Sequence, residues 1–259
     1  MSDPQLVRQQ YATSANLQSR IDVHRRFSTN PHPWPRWMFD QIELPGAARI
    51  LELGGGTGVL WRENLDRLPA GWDITLTDMS AGMLDQARAA LADSGQFSFE
   101  QADAQAIPFA DGMFDAVVAN HMLYHVPDRP HALAEIRRVL KPGGRLYAAT
   151  NGAGHMRGLK ELVAGFQPGA DVVGTFSAEF LLENGRAQLK PFFAHVEQRP
   201  YECDLLVTEL EPLAAYIEST QRIPGERLPE LRRVLAAALE DQGGALRIGK
   251  SVGLFIASS

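Results

Sequence analysis

The sequence has a single cysteine, Cys203, and no excess of basic residues. It also has no apolar run approaching the roughly 18 residues that span a bilayer. Each absence excludes something. A lone thiol closes no internal disulfide, and Cys203 has no Cys or His at metal-ligand spacing, so no metal is expected. The N-terminal stretch MSDPQLVRQQ lacks the apolar core of a secretory leader, and the expected location is cytoplasmic. With 25 Lys and Arg against 31 Asp and Glu, the formal net charge is -6. That leaves no basic footprint for phosphate backbones, and nucleic acid is not an expected substrate. What remains is globular material: 259 residues, 45% hydrophobic and 22% charged, enough to bury a sizeable core.

From Arg49 to Thr150 short apolar runs alternate with longer amphipathic stretches, the rhythm of βαβ units around a parallel sheet. Five strands are expected: RILEL (49–53), DITLT (73–77), FSFEQ (97–101), DAVVA (115–119) and RLYAAT (145–150). RILEL and AVVA are continuous rather than alternating, as befits strands buried on both faces. Between the strands, Trp61, Leu65 and Leu68 form one helical stripe and Leu133, Ile136 and Leu140 another. Ser80 is placed as the N-cap of a helix carrying Met83, Leu84, Ala87 and Leu91. Lys141-Pro142-Gly143-Gly144 stops a helix and turns the chain into the fifth strand.

Two regions fall outside this rhythm. Residues 1–45 hold the aromatic and proline-rich NPHPWPRW and are expected to form a helical segment covering a site in the core of residues 46–150. Residues 151–194, with a helix expected from near Ser177, are too long for a simple connection and are expected to act as a cap or lid, or to pack as a subdomain. Residues 195–259 offer VEQRPYECDLLV, a helix with Leu228, Leu231, Leu235 and Leu239, and the apolar run SVGLFIA, which together are expected to complete the sheet.

The chemistry gathers at ILELGGGTG, where a strand turns tightly into a helix through Gly54, Gly55, Gly56 and Gly58. Glycine permits positive φ and removes the Cβ that keeps a ligand from the backbone, and the following helix offers free N–H groups. Such turns at the carboxyl edge of an open α/β sheet are where ligands bind. The next strand ends in Asp78, 24 residues after Gly54, placed to accept the hydroxyls of a ribose. Nicotinamide cofactors use the same arrangement. Their fingerprint, however, is G-x-G-x-x-G, and Val59 stands at the third glycine position.

ELGGGTG resembles the ELGxGTG motif of class I S-adenosylmethionine (SAM)-dependent methyltransferases, particularly the small-molecule type 11 branch that includes ubiquinone and menaquinone biosynthesis enzymes. LTDMS, QADAQAIPFADGMFDAVVANHMLYHV (Gln101 to Val126) and EIRRVLKPGGRLY (Glu135 to Tyr147) follow in the same order and spacing. The resemblance covers roughly residues 46–150. It implies a doubly wound, mostly parallel, seven-stranded Rossmann-like α/β sheet with helices on both faces and a small helical cap. It further implies that Glu52, Gly54, Gly55, Gly56 and Gly58 shape the pocket for the methionine part of SAM, Glu52 through loop organisation. Asp78 is implied to hold the ribose hydroxyls, Met79 to pack on adenine, and Asp103 and Ala104 to meet the adenine amino edge. Asn120 is implied to lie beneath the sulfonium. Met79 can equally be core, Asp103 a turn-forming acid, and Asp115 structural.

Methyl transfer is an in-line displacement from a good leaving group, so orientation and exclusion of water are the protein's main contribution. Where the nucleophile carries a proton, a base helps, and His121 and His125 follow the fourth strand directly. Either histidine is open to the alternative of ordering the loop. Tyr11, Phe27, Trp34 and Trp37 either close over cofactor or substrate, attracting the sulfonium through their ring faces, or pack the N-terminal helix. The tip ANHMLY differs from the Asn-Pro-Pro-aromatic signature of nucleobase amino methylation, which with the acidic composition directs the expectation to a small-molecule acceptor. Its methylated atom is left open, as is the choice between monomer and homodimer. Two rival functions stand: an NAD-dependent oxidoreductase, and a SAM-binding interaction module without transfer activity.

Overall fold

A computed structural model describes residues 14–170, 172–173 and 179–259, of which residues 14–18 are described by backbone alone. The chain forms two compact units: Trp34–Ala153 with Ser177–Tyr201 and Val252–Ser259, and Met1–Pro33 with Gly154–Phe176 and Glu202–Ser251. Among the described residues, the segments expected to cover a site are shared out, 34–45, 151–153 and 179–194 going with the first unit, 14–33, 154–170 and 172–173 with the second.

The first unit is built on β1 (Ala47–Leu53), β2 (Gly71–Asp78), β3 (Phe97–Gln101), β4 (Phe114–Asn120), β5 (Leu140–Asn151), β6 (His195–Pro200) and β9 (Val252–Ser258). These form one seven-stranded sheet in the order β3-β2-β1-β4-β5-β9-β6. The first five strands pair in parallel; β9 runs antiparallel to both β5 and β6. The expected α/β sheet is what the chain forms. Successive residues of β4 show why its run is continuous: Ala116 and Val118 enter one core cluster, Val117 and Ala119 the other, all fully buried. The chain leaves β1 to one side for β2 and β3 and returns to the other for β4 and β5, so the β1/β4 crevice is the switch point of the sheet.

α2 (Trp34–Asp40), α3 (Val59–Arg62), α4 (Ala81–Leu91), α5 (Arg129–Val139) and α7 (Gly185–Leu189) accompany this sheet. Ser80 caps α4 as expected, its side chain accepting from Met83 N–H, and Asp128 caps α5 on His131 N–H. The stripe Trp61, Leu65, Leu68 does not hold. α3 is a single turn that relaxes into a short 3₁₀ turn, leaving Leu65 39% exposed. The cause is Asn64, whose buried amide donates to Leu60 O at 2.6 Å and takes the carbonyl that its own backbone N–H needs to continue the helix. The expected stop at Lys141–Gly144 is present as a looped-out step within β5: Phe114 pairs Leu140, and pairing resumes at Ala116 with Arg145.

The second unit contains α1 (Ser14–Phe27), α6 (Arg157–Phe166), α8 (Leu210–Glu218), α9 (Leu228–Asp241) and a two-stranded antiparallel sheet of β7 (Asp204–Val207) and β8 (Leu246–Gly249). Its core joins Val23, Phe27, Leu159, Leu205, Ile217 and Leu235. The leucine helix is α9, with Leu231, Leu235 and Leu239 buried and Pro229 in its first turn. The start of the helix expected near Ser177 lies outside the described residues. Among the described residues no helix is long and apolar enough to cross a membrane.

Candidate functional site

The loop after β1 opens at the switch point. Gly54, Gly56 and Gly58 all have positive φ, of 63°, 55° and 72°, a conformation that L side chains rarely adopt. Their reasons differ in space. A Cβ on Gly54 would stand 2.9 Å from the Met122 side chain, and one on Gly55 2.7 Å from Leu76 and 2.8 Å from Glu52 Oε2. A Cβ on Gly56 would meet nothing within 4 Å. The loop is thus closed toward the protein and open at Gly56, a cradle for a ligand that lies on backbone.

Two carboxyls frame it. Glu52, near the end of β1, is 1% exposed and accepts a hydrogen bond from Trp61 Nε1 at 2.6 Å. Burial, opposed by that bond and reinforced by the charge of Asp78, pushes its carboxyl up to about 8. Asp78, the last residue of β2, accepts from Gly56 N–H at 3.0 Å and from Ser80 N–H at 2.8 Å, one bond on each oxygen. Burial raises its carboxyl, and these N–H donors oppose the rise. Each oxygen keeps lone-pair capacity for a hydroxyl. Met79 beside it is 58% exposed, so the core alternative for this side chain falls.

The next position is less open. Asp103 accepts from the Gln105 backbone N–H at 2.9 Å and from the Gln105 amide at 3.1 Å on both oxygens, the pattern of a turn-forming acid. Ala104 is buried in the core cluster beneath the loop. This loop is held by two residues of α5 that sequence reasoning left unassigned. Glu135 accepts from Ile107 N–H at 3.0 Å, while Arg138 donates to Phe109 O, Ile107 O and Asp111 at 2.7–2.9 Å. Their signal was EIRR itself.

At the tip of β4, Asn120 Oδ1 accepts from Trp34 Nε1 at 3.3 Å. His121 follows with φ 57°, and its ring lies 5.1 Å from that of Trp34. Trp34 also stacks on Trp37 and meets Tyr201 edge-on, both at 5.2 Å. Tyr201, buried, was the unforeseen member. His125 sits in the short 3₁₀ turn Leu123–His125, 4.6 Å from the Tyr124 ring. Phe27 packs in the core of the helical unit, so packing explains it. Asp115 accepts from Arg49 N–H and Lys141 Nζ, a structural role. Tyr11 lies outside the described residues.

Residues 51–148 match the family model described as a methyltransferase domain. A ubiquinone/menaquinone biosynthesis C-methyltransferase of Hahella chejuensis is 38% identical over 116 residues, 44% of this chain and 47% of that protein. The chain thus spans about half the length of the curated relatives it matches. Among solved structures, the YcgJ protein of Bacillus subtilis superposes with a TM-score of 0.60 at 18% identity, over 86% of this chain and 96% of that one. Haemonchus contortus phosphoethanolamine N-methyltransferase 2, solved with S-adenosyl-L-methionine, gives a TM-score of 0.62 at 18% identity, over 100% of this chain and 60% of that one. These likenesses concern the fold.

Proposed function

We propose that this protein transfers a methyl group from SAM to a small-molecule acceptor, a reading supported by the match of residues 51–148 to the methyltransferase-domain family. The observation that carries the reading is the bond from Gly56 N–H to Asp78, which ties a ribose-binding carboxylate to a glycine loop that is open where a ligand would rest. The exposed thioether of Met79 adjoins it and suits the face of an adenine ring.

In this reading Gly54, Gly55, Gly56 and Gly58 receive the methionine part of SAM, Asp78 the ribose, Met79 and the Asp103-Ala104 turn the adenine, and Asn120 the region of the sulfonium. SAM supplies an activated methyl group on a good leaving group. The chain's residues orient it and keep water out, effects worth about 7–11 kcal/mol in favourable intramolecular reactions. His121, which adjoins Trp34, is the better-placed of the two candidate bases, because its strained backbone is of the kind that clusters at functional sites. Acceptor choice is assigned to residues outside 51–148, and a small metabolite rather than nucleic acid is favoured by the net charge of -6.

Calorimetry with SAM, S-adenosylhomocysteine and NAD tests the cofactor. SAM and S-adenosylhomocysteine are expected to bind and NAD is not; the reverse sinks the reading in favour of an oxidoreductase. Transfer of labelled methyl to small acceptors then separates an enzyme from a binding module.

A further inference from the structure

Asp103 makes more bonds than its turn needs. Two backbone N–H groups close that turn: Gln105 N–H donates to Asp103 Oδ1 at 2.9 Å, and Ala106 N–H to the Asp103 carbonyl at 2.9 Å. Glu135 and Arg138 hold the same loop from α5. Yet the Gln105 side chain folds back as well, its amide donating to both carboxyl oxygens of Asp103 at 3.1 Å. The other end of that amide accepts from Asp128 N–H at 3.0 Å. A carboxylate only accepts and a backbone N–H only donates, so the carboxamide fits between them in one orientation. It bridges the loop after β3 and the N-cap residue of α5. Asp103 and Gln105 are both half-buried, so neither is sealed from a ligand.

A primary carboxamide presents an NH2 donor beside an oxygen acceptor. The amino edge of adenine presents the same pair, an NH2 donor beside a ring-nitrogen acceptor. We propose that Gln105 is a specificity-determining residue of the cofactor site, its carboxamide occupying Asp103 in the ligand-free protein as a stand-in for the amino edge of a purine. A purine that brings its own amino group displaces the carboxamide from Asp103. One without that group leaves Gln105 where it is. The inference rests on the assignment of Asp103 to adenine and adds the competitor that the base must displace. Displacement has a cost and a consequence. The cost is the bond from Gln105 to a carboxylate, which lowers the affinity for the base. The consequence is that Asp128 N–H loses the Gln105 acceptor, at the residue whose side chain caps α5 on His131 N–H. Filling of the adenine end is thereby felt at the start of α5.

The test is calorimetry of the full chain with S-adenosylhomocysteine and with its des-amino analogue, which has hydrogen in place of the purine amino group. Gln105→Ala is expected to bind S-adenosylhomocysteine roughly three- to tenfold more tightly than the wild type does, the worth of one net hydrogen bond. The des-amino analogue should bind both proteins alike. In the wild type, amide exchange at Asp128 should speed up on adding S-adenosylhomocysteine, against the usual slowing by a ligand, and should not respond to the analogue. Unchanged or weaker binding in Gln105→Ala, an equal gain with both ligands, or exchange at Asp128 that slows or stays the same overturns the proposal and leaves the cofactor reading intact. Equal affinity for S-adenosylhomocysteine in Asp103→Ala and the wild type removes Asp103 from the adenine end, and the proposal with it. Absence of S-adenosylhomocysteine binding removes the SAM reading as well. If Gln105→Ala does not fold, the exchange at Asp128 in the wild type decides.

Discussion

At the scale of single residues the site separates two carboxyls by their donors: Asp78 is tethered by two backbone N–H groups and Glu52 by one indole. Asp78→Ala removes the acceptor proposed for the ribose and the bond to Gly56 N–H; SAM binding is expected to weaken at least tenfold, about 1.4 kcal/mol, by calorimetry. Glu52 also sets a pH dependence of stability. Burial raises its carboxyl in the fold from the ordinary 4.5 to about 8. The stability it permits is therefore present below pH 4.5 and is lost as pH rises toward 8, while the unfolded chain ionises freely. Thermal melts of the ligand-free protein should fall between pH 5 and pH 8, and Glu52→Gln should flatten the fall. The glycines give a paired prediction. Gly55→Ala places a methyl group against Leu76 and Glu52 and is expected to destabilise by roughly 1–3 kcal/mol. Gly56→Ala, with open space around it but φ 55°, should lose less stability and more SAM affinity. The glycines, Asp78 and Glu52 were legible in sequence because a strand end and a turn fix their places locally. Trp61 as partner of Glu52 and Trp34 as partner of Asn120 were not, because indole direction depends on how separate elements pack.

At the scale of elements, propensity was overruled where side chains competed for backbone. Asn64 cuts α3 to one turn by capturing Leu60 O, and no apolar periodicity announces that. Where a cap works by local geometry, sequence sufficed: Ser80 accepts from Met83 N–H, and Ser80→Ala is expected to cost about 1 kcal/mol of stability by denaturant unfolding. The loop bearing Asp103 depends instead on α5. Arg138 donates to two of its carbonyls and to Asp111, so Arg138→Ala should speed amide exchange over residues 103–111. The bonds of α5 itself are expected to change little.

On the scale of the whole molecule, two units each bury their own cluster of apolar side chains. A ligand of the sheet unit should stabilise that unit first: SAM at 100 times its Kd is worth about 2.7 kcal/mol there. Amide exchange with and without SAM should show protection concentrated at the carboxyl ends of β1, β2 and β4. The sequence by itself determined the parallel sheet, its five leading strands and the place of the glycine loop and its acid. These follow from periodicity and from residues whose backbone preferences act within a few positions. Only the tertiary structure decided that Met79 faces outward, that Glu52 is shut in with an indole and a like charge, and that the segments flanking the core divide between two units. Burial and long-range pairing depend on residues far apart in the chain, and no local pattern encodes which of them meet.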